Sequence, residues 1–215
     1  MKKFAVVLSG CGVFDGAEIH EATLTLLAIA QQGASYEIFA PDINQYHVIN
    51  HITGKQMPEK RNVLVESARI ARGKIKPLNL FRESDFDAII FPGGFGVAKN
   101  LSTVAFDGPN AIVNPDVEAA VSSMHKAGKP IGALCIAPAM IARILGNVEV
   151  TIGNDPGTVA NIEKMGGKHI KATHGEVVVD KQNKVFTTPC YMLDATIVQI
   201  YKGAGNIINE VLKSI

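Results

Sequence analysis

Phe4, Ala5, Val6, Val7 and Leu8 form an unbroken apolar run near the start of the chain. A short run without alternation predicts a strand covered on both faces. From 17 to 32 the apolar positions fall at 19, 22, 26, 29 and 30, a helical stripe that Gly33 stops. Residues 36–40 resume the sheet, and Pro41 and Asp42 turn away from it. Strand, helix, strand at the outset predicts a parallel sheet with helices on both faces.

Residues 43–83 interrupt the alternation with polar and turn residues, then a helix-like stretch over 62–72 closed by Gly73. Too little apolar content remains there for a separate core, so this stretch reads as an insertion on one domain spanning 1–215. Alternation then returns. Strands are expected at 87–91, 131–134 and 148–152, and helices at 115–127, 138–145 and 156–165. Residues 176–179 and 184–188 read as a hairpin. A final helix follows Pro189, weakened by Gly203 and Gly205. The expected fold is a doubly wound, mostly parallel α/β sandwich, in which ligands gather at the carboxyl ends of the strands.

Composition narrows the function classes. A formal net charge of +1 and the lack of any Lys/Arg stripe exclude a nucleic-acid or anionic-membrane partner. Lys2 and Lys3 before the first apolar run imitate a signal peptide, but that run ends at Ser9 and acidic Asp15 and Glu18 follow. Cys11, Cys135 and Cys190 are odd in number and far apart, which fits free thiols in a reducing compartment. A cytoplasmic location is therefore expected. A two-fold homodimer is the expected assembly for a small α/β domain of this kind.

Candidate chemistry centres on Cys135, in the run from Lys129 through Leu134 to Pro138 and Met140. A tight turn from strand into helix pushes one side chain out at the sheet's carboxyl edge. The helix that follows aims free N–H groups and its positive dipole end at the sulfur, favouring thiolate. Pro138 suits the first helical turn. The competing reading is a buried structural cysteine. Gly93 and Gly94, after the preceding strand, could bring backbone N–H groups to a ligand as an oxyanion hole, or form an ordinary glycine turn. Glu21 could reach the thiol and shuttle protons, or with Glu18 simply complement the helix dipole. Cys11, after the first strand, could line the same edge, and Cys190 reads as packing. Gly10, Gly12 and Gly16 miss the dinucleotide-binding spacing by one residue. His47 and His51 have the spacing of a metal pair without a third ligand nearby, and no metal site is expected. His20, His125, His169 and His174 are isolated, although His20 adjoins Glu21.

Taken together, Pro92-Gly93-Gly94 after a strand, the Cys135 turn and the early Glu21 resemble the superfamily of intracellular-protease-like and Parkinsonism-linked deglycase proteins. Its fold is similar to class I glutamine amidotransferases and is flavodoxin-like. Within it, the runs at 8–13, 15–22, 61–64, 92–102 and 135–140 look like the ElbB branch, the enhancing-lycopene-biosynthesis proteins. The resemblance implies a cofactor-free glyoxalase that converts glyoxal to glycolate. Cys135 then takes the nucleophile position and Glu21 its acidic partner. Gly93, Gly94 and the backbone of Ile136 supply oxyanion contacts; Cys11, His20, Asn100, Asn154 and Asp155 are candidates to line the pocket beside them. Many superfamily members carry a His where this chain reads Gly153-Asn154-Asp155, so a Cys-His-Glu triad is absent. The alternatives are a redox sensor through Cys135 oxidation and a regulatory binding module affecting isoprenoid metabolism.

Overall fold

A computed structural model describes residues 1–215. In chain order the strands are β1 (Lys3–Val7), β2 (Ser35–Ala40), β3 (Lys76–Pro77), β4 (Ala88–Phe91), β5 (Ile131–Leu134), β6 (Glu149–Val150), β7 (Lys168–His169), β8 (Val178–Asp180) and β9 (Val185–Thr188). The helices are α1 (Ile19–Gln31), α2 (Val63–Ile70), α3 (Val104–Asp107), α4 (Pro115–Lys126), α5 (Ala137–Leu145), α6 (Pro156–Lys164) and α7 (Ile197–Lys213). Seven strands form one sheet in the order β3-β2-β1-β4-β5-β9-β8. All its pairings are parallel except the β8–β9 hairpin. The apolar runs of β1, β4 and β5 are buried on both faces, as their lack of alternation requires.

Each face of the sheet carries its own core. One packs β4 and β5 side chains against α4 and α5, around Ile89, Phe91, Val121 and Met140. The other packs Phe4, Val6 and Ile90 against α1 and α7 and includes both Cys135 and Cys190. The chain leaves β1 toward β2 on one side and returns to β4 on the other. The switch point therefore lies between β1 and β4, where the sheet twist opens a crevice beyond the strand ends.

Three expectations need revision. The 43–83 stretch ends inside the scaffold: β3 pairs with β2 through Phe39↔Lys76, and Leu78 is buried in the core. The strand expected at 148–152 shrinks to β6, which pairs with β7 in a small separate sheet. The β8–β9 hairpin takes the place beside β5 instead. Helix α7 starts only at Ile197 and runs unbroken through Gly203 and Gly205. A capping box between Thr196 and Gln199 starts it, and Gly203 lets Cys190 and Thr188 approach the helix.

Candidate active site

Cys135 follows β5 directly, with its backbone in the left-handed region at φ 59°. Its N–H donates to Thr188 O at 3.0 Å, which extends the β5–β9 ladder to the turn residue and holds that strained conformation. The backbone N–H groups of Gly94 and Ile136 lie close enough to its sulfur to favour the ionised form. Glu21 comes from the first turn of α1 and is fully buried. Its Oε2 accepts from Gly93 N–H at 2.9 Å and its Oε1 from Tyr191 N–H at 3.2 Å. The carboxyl faces Cys135 across Gly93: a Cβ built there would lie within 3.0 Å of both Glu21 Oε2 and Cys135 Sγ.

The two glycines are required by this closeness. A Cβ on Gly93 would collide with Cys135 Cβ and lie 2.7 Å from Glu21 Oε2 and 3.0 Å from Cys135 Sγ. Gly94 takes φ 99°, and a side chain there would strike Glu18 N and Gly16 O. Gly93 is not a free oxyanion donor, because Glu21 already occupies its N–H. Gly94 and Ile136 keep that role open.

Burial sets the proton chemistry. The Cys135 thiol is raised well above its ordinary value, first by desolvation and then by the neighbouring Glu21 charge. The N–H groups of Gly94 and Ile136 pull the other way without winning. The resting group is a thiol, which corrects the expected thiolate: desolvation outweighs the helix dipole. Glu21 is pushed up to about 8, by burial first and by Glu18 second, against the pull of the Tyr191 and Gly93 N–H groups. The two side chains titrate as a pair.

Cys135 is only 7% exposed, so its sulfur is buried rather than lifted into an open pocket. A hollow of about 750 Å³, lined by Leu26, Tyr36, Ile38, Ile70 and Arg72, does not include it. Several predicted lining residues are placed otherwise. Asn100 is a buried clamp: it donates to Ser9 O and Asp15 O and accepts from Tyr46 N–H. Asp155 caps α6 through Thr158, and Asn154 lines a different hollow beside His169. Cys11 is half-buried, and Glu66, Arg69 and Asp15 act on it rather than Glu21. His20 is exposed at the site's rim, 2.8 Å from Tyr191 Oη. His51 is tied to Ile49 O and Phe14 N–H, and no group of three or more His, Cys, Asp and Glu side chains is arranged to hold a metal ion. Cys190, expected only to pack, stands in the left-handed region at φ 43° and aims the next N–H, Tyr191, at Glu21. Sequence reasoning missed Tyr191; its one signal was its place just beyond a strand's carboxyl end. No helix is long and apolar enough to cross a membrane.

No family model matches the chain. A human protein named glutamine amidotransferase-like class 1 domain-containing protein 3, mitochondrial, is 48% identical over 221 residues, covering 98% of this chain and 82% of its own length. The ES1 protein, mitochondrial, of Danio rerio is 38% identical over 230 residues, covering 97% and 84%. The chain belongs to the ES1 family of class I glutamine amidotransferase-like proteins. The crystal structure of an isoprenoid biosynthesis protein with an amidotransferase-like domain from Ehrlichia chaffeensis superposes with a TM-score of 0.94 at 38% identity, over 100% of this chain and 99% of that one. The ElbB-type resemblance and the class I glutamine amidotransferase-like fold therefore both hold. Glyoxalase III from Candida albicans shares the fold, with a TM-score of 0.66 at 15% identity over 100% and 97% of the two chains. The cytoplasmic expectation does not stand, since the human, rat and zebrafish relatives are all named mitochondrial. Cysteine count distinguishes reducing from oxidising surroundings, and not one reducing compartment from another.

Proposed function

We propose that this protein is a cofactor-independent glyoxalase that turns glyoxal and water into glycolate at Cys135. The observation that carries the reading is the buried juxtaposition of the Glu21 carboxyl and the Cys135 thiol across Gly93, with the N–H groups of Gly94 and Ile136 beside the same sulfur. A shared fold with glyoxalase III is consistent with it.

The reaction begins when the pair has lost one of its two protons. Glu21 carboxylate takes the thiol proton as sulfur bonds to one aldehyde carbon, and the carbonyl electron pair moves onto oxygen. Gly94 and Ile136 N–H groups stabilise that oxyanion, and Glu21 returns the proton to give a hemithioacetal. Glu21 then removes the C–H proton of the sulfur-bearing carbon. The released electrons reduce the second aldehyde through an enediol, which is protonated at the far carbon. The product is a glycoloyl thioester. Water adds to it, the carbon–sulfur bond breaks, and the proton released by water returns to sulfur. One water is consumed and no external electron carrier is needed. With no His in the triad position, Glu21 carries every proton.

The test is glycolate formation by wild type, Cys135→Ser and Glu21→Ala. The reading expects at least a hundredfold loss in both variants, as removal of a nucleophile or its general base costs roughly that or more. Equal rates in all three would end it.

A further inference from the structure

Glu18 begins α1 in an unusual way. As N-cap residue its Oε2 accepts from Glu21 N–H at 2.7 Å, a place normally held by Ser, Thr, Asp or Asn. In an ordinary capping box the acidic residue three positions on reaches back to the cap's own N–H. Here Glu18 N–H donates instead to Gly93 O at 2.9 Å. Glu21 is thereby released from capping and turned toward Gly93 N–H, Tyr191 N–H and Cys135. Gly93 thus ties both glutamates to one residue, through its carbonyl to Glu18 and its N–H to Glu21.

Glu18 is also a charge without a counter-ion. It is only 8% exposed, and no Lys, Arg or His forms an ion pair with it or with Glu21. The titratable groups around the two carboxyls are Cys135 from the β5–α5 turn, Cys190 and Tyr191 from the loop after β9, and His20 from α1 itself, at the rim. None supplies a fixed positive charge. A neutral hydroxyl or amide would cap α1 as well as a carboxylate does, so capping alone does not account for a buried anion here.

We propose that Glu18 is a positioning residue that sets how tightly the Glu21–Cys135 pair holds its proton, by placing an uncompensated negative charge one helical turn from Glu21. The charge opposes ionisation of Glu21 and is its second-largest perturbation after burial. Glu21 therefore stays protonated to about pH 8 and can act as an acid as well as a base near neutrality. The proposal rests on Cys135 and Glu21 being the reacting pair, but it concerns their protons and does not depend on the substrate.

The test follows alkylation of Cys135 by iodoacetamide against pH, located by peptide mass mapping, in wild type, Glu18→Gln, Glu18→Ser and Glu18→Asp. Wild-type labelling should rise with pH as the pair loses its protons. Both neutral variants keep a capping oxygen and should show the rise at least half a pH unit lower, so that Cys135 labels roughly threefold or more faster at pH 7. Glu18→Asp keeps charge and cap and should titrate close to wild type. Neutral variants that titrate with wild type would overturn the proposal, as would an Asp variant shifted as far as they are. If only the Asp variant folds, Glu18 is a structural cap and the proposal also fails. A shifted labelling curve in a protein that makes no glycolate would remove the glyoxalase reading and leave the role of Glu18 standing.

Discussion

Cys135 was legible in the sequence because its setting is local: four buried strand residues, then a turn, then a helix of small residues with proline in its first turn. Glu21 was legible only as one of two acids near a helix start. What singles it out is long-range, namely N–H groups contributed by Gly93 and Tyr191, which lie 72 and 170 positions away. The protonation state was misread for a related reason. A helix terminus is visible in sequence, but the depth at which a thiol lies is not. Two predictions belong at this scale. Gly93→Ala forces a methyl group between Cys135 and Glu21. It should abolish glycolate formation and cost about 1–3 kcal/mol in urea unfolding. Turnover should also climb with pH through about 8, because loss of the pair's first proton creates the base that accepts the thiol proton. A rate that is flat or falls between pH 7 and 9 would contradict that assignment.

Most helices and long strands followed from apolar periodicity, and the exceptions have physical causes. Residues 148–152 are apolar enough for a central strand, yet the β8–β9 hairpin pairs with β5 and leaves β6 to β7. Nothing local distinguishes the two candidates for that position. In α7, glycine propensity argued for a break, but the capping box at Thr196 and packing on α1 outweigh two residues at about 1 kcal/mol each. Gly205 has open space where a Cβ would go. Gly205→Ala should therefore raise stability by about 0.5–1 kcal/mol, read from chemical denaturation, with no change in turnover. Thr196→Ala should lower stability by about 1 kcal/mol through loss of the cap. Helix α1 carries the strongest link from element to site, because its starting residue and its acidic residue share Gly93.

At the scale of the whole molecule, the sheet order brings four separate pieces of chain to one carboxyl edge: the start of α1, the loop after β4, the turn after β5 and the loop after β9. The mostly parallel sandwich was readable from strand–helix alternation, whereas this convergence depends on which strands become neighbours. Holding a protonated carboxyl in the core couples the site to stability. Glu21 binds its proton more tightly folded than unfolded, so its contribution is fully present below about pH 4.5 and is lost as pH rises to about 8. The stability advantage of wild type over Glu21→Ala should therefore shrink by roughly 3–5 kcal/mol between pH 4.5 and 8.5, measured by urea unfolding at each pH. An advantage that stayed constant would mean that Glu21 is not protonated in the core. The most direct measurement of the chemistry itself is mass mapping of protein quenched in acid during turnover of glyoxal. The account predicts a glycoloyl thioester on Cys135 in wild type and no such adduct at that position in Cys135→Ser. Glycolate accumulating while Cys135 stays unmodified at every quench time would contradict it.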